Sequence, residues 1–271
     1  MRRIRVIVVL GTVLSIVSVF AISGTASASG GLTNYSIQTT NYTVSPGPTQ
    51  SETPICPVGT VPLGGGFYNS VGAVDNFWSY PTATNGWTVG LGDLYGSDAE
   101  GIASAECATA PEGWETPFNS TPTVSGIPAS VSVKCPAGDR VLGGGGTGPL
   151  SSSFPVKTGT TYSWQVTVNN PNGSTLYAQA VCGKKISGYK LVQSKAVSNP
   201  AGAVSFVSVS CPKLRTGQTD IMGGGISSSS NSPAVNITSD GPSSTTEWRP
   251  GEYNTSAASS TLTGYAICAL T

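Results

Sequence analysis

Apolar and polar residues alternate along several short stretches of this chain. Ser130-Val131-Ser132-Val133-Lys134-Cys135 and Phe206-Val207-Ser208-Val209-Ser210-Cys211 each follow a two-residue period, which predicts strands with one face buried. The same period appears with smaller residues at Ala103, Ala105 and Cys107, at Ala178, Ala180 and Cys182, and at Ala266 and Cys268. Alanine beside cysteine on an inner face predicts close sheet packing there. No stretch holds a 3.6-residue period between capping residues, so the pattern predicts an all-β protein.

These strands recur in a fixed order. Cys56-Pro57, Cys135-Pro136 and Cys211-Pro212 open three equivalent stretches. A triple glycine follows each: Gly64-Gly65-Gly66, Gly143-Gly144-Gly145 and Gly223-Gly224-Gly225. Then come Trp87, Trp164 and Trp248, and a second cysteine closes each stretch at Cys107, Cys182 and Cys268. An aromatic residue (Tyr35, Trp114, Tyr189) leads each stretch in. Five landmarks at near-constant spacing mark three repeats of about 75 residues, at 34–107, 113–182 and 188–268.

The repeats do not cover the first 28 residues. Arg2, Arg3 and Arg5 precede an apolar run from Val6 to Ile22, and Ala26-Ser27-Ala28 is a small-x-small cleavage site. This predicts a signal peptide over 1–28, a secreted single β domain over 29–271, and no stable membrane insertion after cleavage. Without the three signal arginines, 10 basic residues face 13 acidic ones, a formal charge of −3. Such a balance predicts no nucleic-acid partner, because phosphate neutralisation requires clustered lysine and arginine. Only 10% of the residues are charged, yet apolar residues reach 38%, enough to build a core.

The six cysteines suit an oxidising compartment. The repeat favours one bridge within each copy: Cys56–Cys107, Cys135–Cys182 and Cys211–Cys268. The rival scheme joins each closing cysteine to the next opening one. In the chain-entropy account, each bridge over such a loop contributes about 4 kcal/mol. Two architectures are compatible with the pattern. Three copies around a pseudo-threefold axis, as in a β-prism, is the favoured one, since the links from Cys107 to Trp114 and from Cys182 to Tyr189 are short. Three small β-sandwich domains in tandem is the alternative.

The motif Cys-Pro-x-Gly…Leu-Gly-Gly-Gly…Gly-Trp-x-Val…Tyr-Ala-x-Cys-Ala resembles a repeat of secreted actinobacterial-type proteins. It stands here as Cys56-Pro57-Val58-Gly59, Gly86-Trp87-Thr88-Val89 and Tyr265-Ala266-Ile267-Cys268-Ala269. The layout is also similar to that of threefold β-prism proteins such as vitelline membrane outer layer protein 1. That second likeness concerns organisation alone and implies no site. The third copy departs from the motif, since Trp248 stands in Glu-Trp-Arg-Pro.

Histidine is absent, which removes Ser-His-Asp and Cys-His catalysis and histidine-based metal sites. The glycine triplets lack the Lys-Ser/Thr and the helix start of a phosphate loop. Asp93, Asp98 and Glu100 are the one acidic cluster, a candidate for a hydrolytic carboxylate pair or a calcium site, against the plainer reading of a solvated loop. Trp87, Trp164 and Trp248, with Tyr80 and Phe154 in Ser-aromatic-Pro turns, are candidates for stacking on sugar rings; core packing is the stronger reading of the tryptophans. The expectation is a non-enzymatic secreted binding module directed at a carbohydrate or cell-envelope polymer, with no catalytic residues and no cofactor. A structural surface-layer or spore-envelope protein, and a glycoside hydrolase using the first repeat's acidic residues, stand as alternatives.

Overall fold

A computed structural model describes residues 31–47, 49–69, 74–93, 96, 98–169 and 173–271. The expected signal segment 1–28 lies outside the described residues. The described residues form strands and turns with no helix, hence none long and apolar enough to cross a membrane.

Segment one (34–107) carries β1 (Ser36–Val44), β2 (Gln50–Glu52), β3 (Val61–Tyr68), β4 (Val74–Pro81), β5 (Trp87–Asp93) and β6 (Ala99–Ala108). Segment two (113–182) carries β7 (Phe118–Pro122), β8 (Ala129–Lys134), β9 (Arg140–Thr147), β10 (Leu150–Thr158), β11 (Thr161–Val168) and β12 (Thr175–Gly183). Segment three (188–268) is more broken. It holds β13 (Lys190–Gln193), β14 (Val197–Asn199), β15 (Val204–Phe206), β16 (Val209–Ser210), β17 (Lys213–Leu214) and β18 (Gly217–Ser228). It ends in β19 (Val235–Ser239), β20 (Pro242–Ser244), β21 (Glu247–Trp248), β22 (Gly251–Asn254) and β23 (Ser260–Leu270).

One sheet runs β2-β5-β4-β9-β12-β7 and so mixes segments one and two. An eight-stranded sheet with the main path β13-β23-β18-β10-β11-β8 mixes segments two and three. Three-stranded sheets β1-β6-β3 and β15-β22-β19 lie in segments one and three, joined by a backbone bridge in which Phe67 and Asp240 exchange hydrogen bonds of 2.9 and 2.8 Å. Self-contained sandwiches would keep each sheet inside its segment; two of these sheets cross the borders.

The glycine triplets explain how the segments approach one another. A Cβ on Gly64 would strike the backbone at Met222 and Gly223, one on Gly143 that at Leu63 and Gly64, and one on Gly223 that at Leu142 and Gly143. The third glycines, Gly66, Gly145 and Gly225, lie against the carbonyls of Asp240, Ser79 and Ser153. Main chain meets main chain at these six positions, and any side chain would hold the strands apart. The leading aromatics reach across as well: Tyr35 donates to the Ile221 carbonyl (2.6 Å), Trp114 to that of Pro62 (3.1 Å) and Tyr189 to that of Val141 (2.9 Å).

The disulfides are Cys56–Cys107, Cys135–Cys182 and Cys211–Cys268, one within each segment. The main hydrophobic cluster contains residues of all three segments, among them Leu63, Trp87, Leu142, Trp164, Met222 and Ile237.

Candidate functional site

The segment tryptophans are core residues. Trp87, Trp164 and Trp248 are 0% exposed, so none offers a ring face to a sugar, and the stacking role considered for them is corrected. The middle glycines explain this, since Gly65, Gly144 and Gly224 lie directly on the three indoles with no room for a Cβ. Each indole N–H is satisfied inside, by Ser79 Oγ at 2.9 Å, Ser153 Oγ at 3.0 Å and Asp240 Oδ1 at 2.7 Å.

The acidic trio is also dispersed. Asp93 is buried at the end of β5 opposite Val74, while Glu100 is exposed on β6 opposite Thr43, and Asp98 is exposed just before β6. Among the described residues no group of three or more His, Cys, Asp or Glu is placed to hold a metal ion. Neighbours in sequence end up in different sheets, because β5 pairs with β2 and β4 while β6 pairs with β1 and β3. Tyr80 and Phe154 are half-buried on β4 and β10 and line separate grooves on the outer sheet faces.

A cavity of about 510 Å³ brings together a different set of residues. Its position follows from an irregularity shared by the three segments. β4, β10 and β19 each carry a β-bulge, at Phe77, Ser151 and Thr238, four residues before Pro81, Pro155 and Pro242. Asp75, Pro149 and Asn236, each two residues before its bulge, all line the cavity. At the bulge and the next position, segments two and three carry Ser151-Ser152 and Thr238-Ser239, whereas segment one carries Phe77-Trp78. Both rings are half-buried and line the cavity. The Trp78 ring lies on Gly90 and the Phe77 ring on Gly92 of the facing strand, where absent Cβ atoms leave a flat backbone bed.

Polar groups converge on the same space. Asp75 is 4% exposed, and its Oδ1 has no hydrogen-bond partner among the described residues. Burial pushes its carboxyl up to about 7, well above the usual carboxylate range. Asn169 directs its Nδ2 to the carbonyls of Ser230 and Ser232, both at 3.0 Å, and its buried Oδ1 has no partner among the described residues. Thr123, Thr147 and Thr175 add hydroxyls to the lining. An aromatic bed beside threonine hydroxyls suits a compact, polyhydroxylated and largely uncharged ligand.

Sequence reading singled out Tyr80 and passed over the two residues in front of Ser79. The signal was present: aligning the segments on Pro81, Pro155 and Pro242 shows an aromatic pair in one segment where the other two have hydroxyl residues. No protein-family model matches this chain, and no curated protein matches it either.

Proposed function

We propose that the protein is a secreted, non-enzymatic binding module for a carbohydrate or cell-envelope polymer, and that the Phe77–Trp78 cavity is its ligand site. The observation carrying this reading is the half-buried Phe77–Trp78 pair lining the cavity beside Thr123, Thr147 and Thr175. A sugar ring stacked on Trp78 would exchange hydrogen bonds with these threonine hydroxyls. Three disulfides support an extracellular setting.

The proposal includes an architecture: three repeats closed around a pseudo-threefold axis, as in a β-prism. Its support is the cyclic order of the glycine contacts, in which segment one abuts three, two abuts one and three abuts two. The equivalent placement of Asp75, Pro149 and Asn236 then puts the cavity near the axis.

The test is a glycan array and polysaccharide pull-down with the mature chain and its Trp78→Ala variant. Retention on a neutral glycan or a cell-wall polymer, lost in the variant, is the expected result. No retention by the wild-type chain, or equal retention by both, would overturn the reading.

A further inference from the structure

A groove of about 540 Å³ crosses the border between segments two and three, away from the Phe77–Trp78 cavity, and shares no lining residue with it. Phe154 of β10 and Tyr265 of β23 stack there at 5.3 Å with planes 21° apart, both half-buried. The stacked pair forms one aromatic wall of the groove. Beyond them the buried Tyr162 meets Tyr189 edge to face at 5.7 Å. The Arg140 guanidinium lies 4.7 Å from the Tyr162 centroid, and Lys157 Nζ lies 5.7 Å from it. Lys190 lines the opposite side, and both lysines are exposed.

No acidic side chain lines this groove. Among the described residues the ion pairs are Lys184–Asp139 and Lys185–Glu112, so Lys157, Lys190 and Arg140 have no acidic partner. The two lysines beside these rings, with Arg140 behind them on Tyr162, form a basic spot on an expected mature chain of formal charge −3.

We propose that this groove binds an acidic glycan, a chain of uronate-type sugars. The apolar face of a pyranose stacks on the open face of the Phe154–Tyr265 ring pair, while its carboxylate pairs with Lys157 or Lys190. A single-stranded nucleic acid is the competing polyanion, with a phosphate per nucleotide where the uronate chain has a carboxylate per sugar, and the titration below separates the two. The inference is independent of the cavity reading and uses different residues.

The experiment is isothermal titration of the mature chain with a short oligogalacturonate, a neutral cello-oligosaccharide and a single-stranded oligonucleotide, at low and high salt. Oligogalacturonate should bind and weaken as salt rises. The Lys157→Gln/Lys190→Gln variant, altered only at exposed positions, should lose about five- to tenfold in that affinity. Tyr265→Ala should weaken binding at both salt levels, and Trp78→Ala should leave it unchanged. Absent oligogalacturonate binding, equal binding by the double-lysine variant, or tighter binding of the oligonucleotide would overturn the proposal, whatever happens to neutral-glycan binding at the cavity.

Discussion

Where segment one meets two, and two meets three, a serine hydroxyl receives the buried indole behind the glycine contact; where three meets one, a carboxyl receives it. All three share a backbone plan. A glycine of one segment lies on the carbonyl of Ser79, Ser153 or Asp240, and that residue also accepts from a buried indole. Serine holds the position twice and aspartate once. A second substitution sits beside it: the residues facing the first glycines are Val181 and Ile267 in segments two and three, but Glu106 in segment one.

Glu106 is fully buried, and desolvation, reinforced by Asp240, pushes its carboxyl up to about 8. Asp240 is also raised to about 8 by burial, against the opposing pull of the Trp248 N–H. The Tyr35 phenol is raised too, first by burial and then by Glu106 and Asp220. The comparison teaches that glycine and the bulge set the geometry of these borders, while side-chain chemistry varies within it at an electrostatic cost.

The largest expected effect probes what the borders share. Trp87→Ala, Trp164→Ala and Trp248→Ala should each cost about 3–5 kcal/mol in urea unfolding, because each empties a closed space. A markedly smaller loss at one of them would show that the borders are not equivalent in packing.

A smaller effect isolates what differs. Glu106→Val, the residue of segment two, should stabilise the protein by about 1–3 kcal/mol at pH 8, since it removes a carboxyl from an apolar setting. The sign of the pH dependence follows from the raised values. The folded carboxyls hold their protons up to about 8, whereas the unfolded ones release them near 4.5 and 3.8. The stability carried by this pair is therefore fully present below about pH 4 and is lost as pH rises toward 8. The gain from Glu106→Val should shrink between pH 8 and pH 5; a gain independent of pH would remove the electrostatic account.

The smallest effect concerns the aromatic pair. Trp78→Ser, matching Ser152, should cost about 1 kcal/mol in thermal or urea unfolding, far less than Trp87→Ala, because the Trp78 ring is half-buried and rests on a strand surface. A loss as large as that of a core tryptophan would make Trp78 a structural residue and weaken its role as a ligand platform.

Much of the frame was legible before any coordinates. The cysteine spacing named the three bridges, and the alternation at Ser130–Cys135 placed a strand that spans Ala129–Lys134. The once-per-segment tryptophans pointed to the core. The candidate site was less legible. Asp75, Phe77 and Trp78 lie near position 75, Asn169 and Thr175 lie about a hundred residues further on, and Asn236 lies in segment three. No local pattern joins them.

By itself the chain determined what depends on near neighbours: strand periodicity, the order of landmarks, and a cysteine pair enclosed within each segment. Only the tertiary structure decided which strand edges meet across segments, since that depends on where a missing Cβ lets two backbones touch. It also decided that Asp75, Glu106 and Asp240 are costly to ionise, because desolvation sums over everything packed around a carboxyl and leaves no trace in its flanking residues.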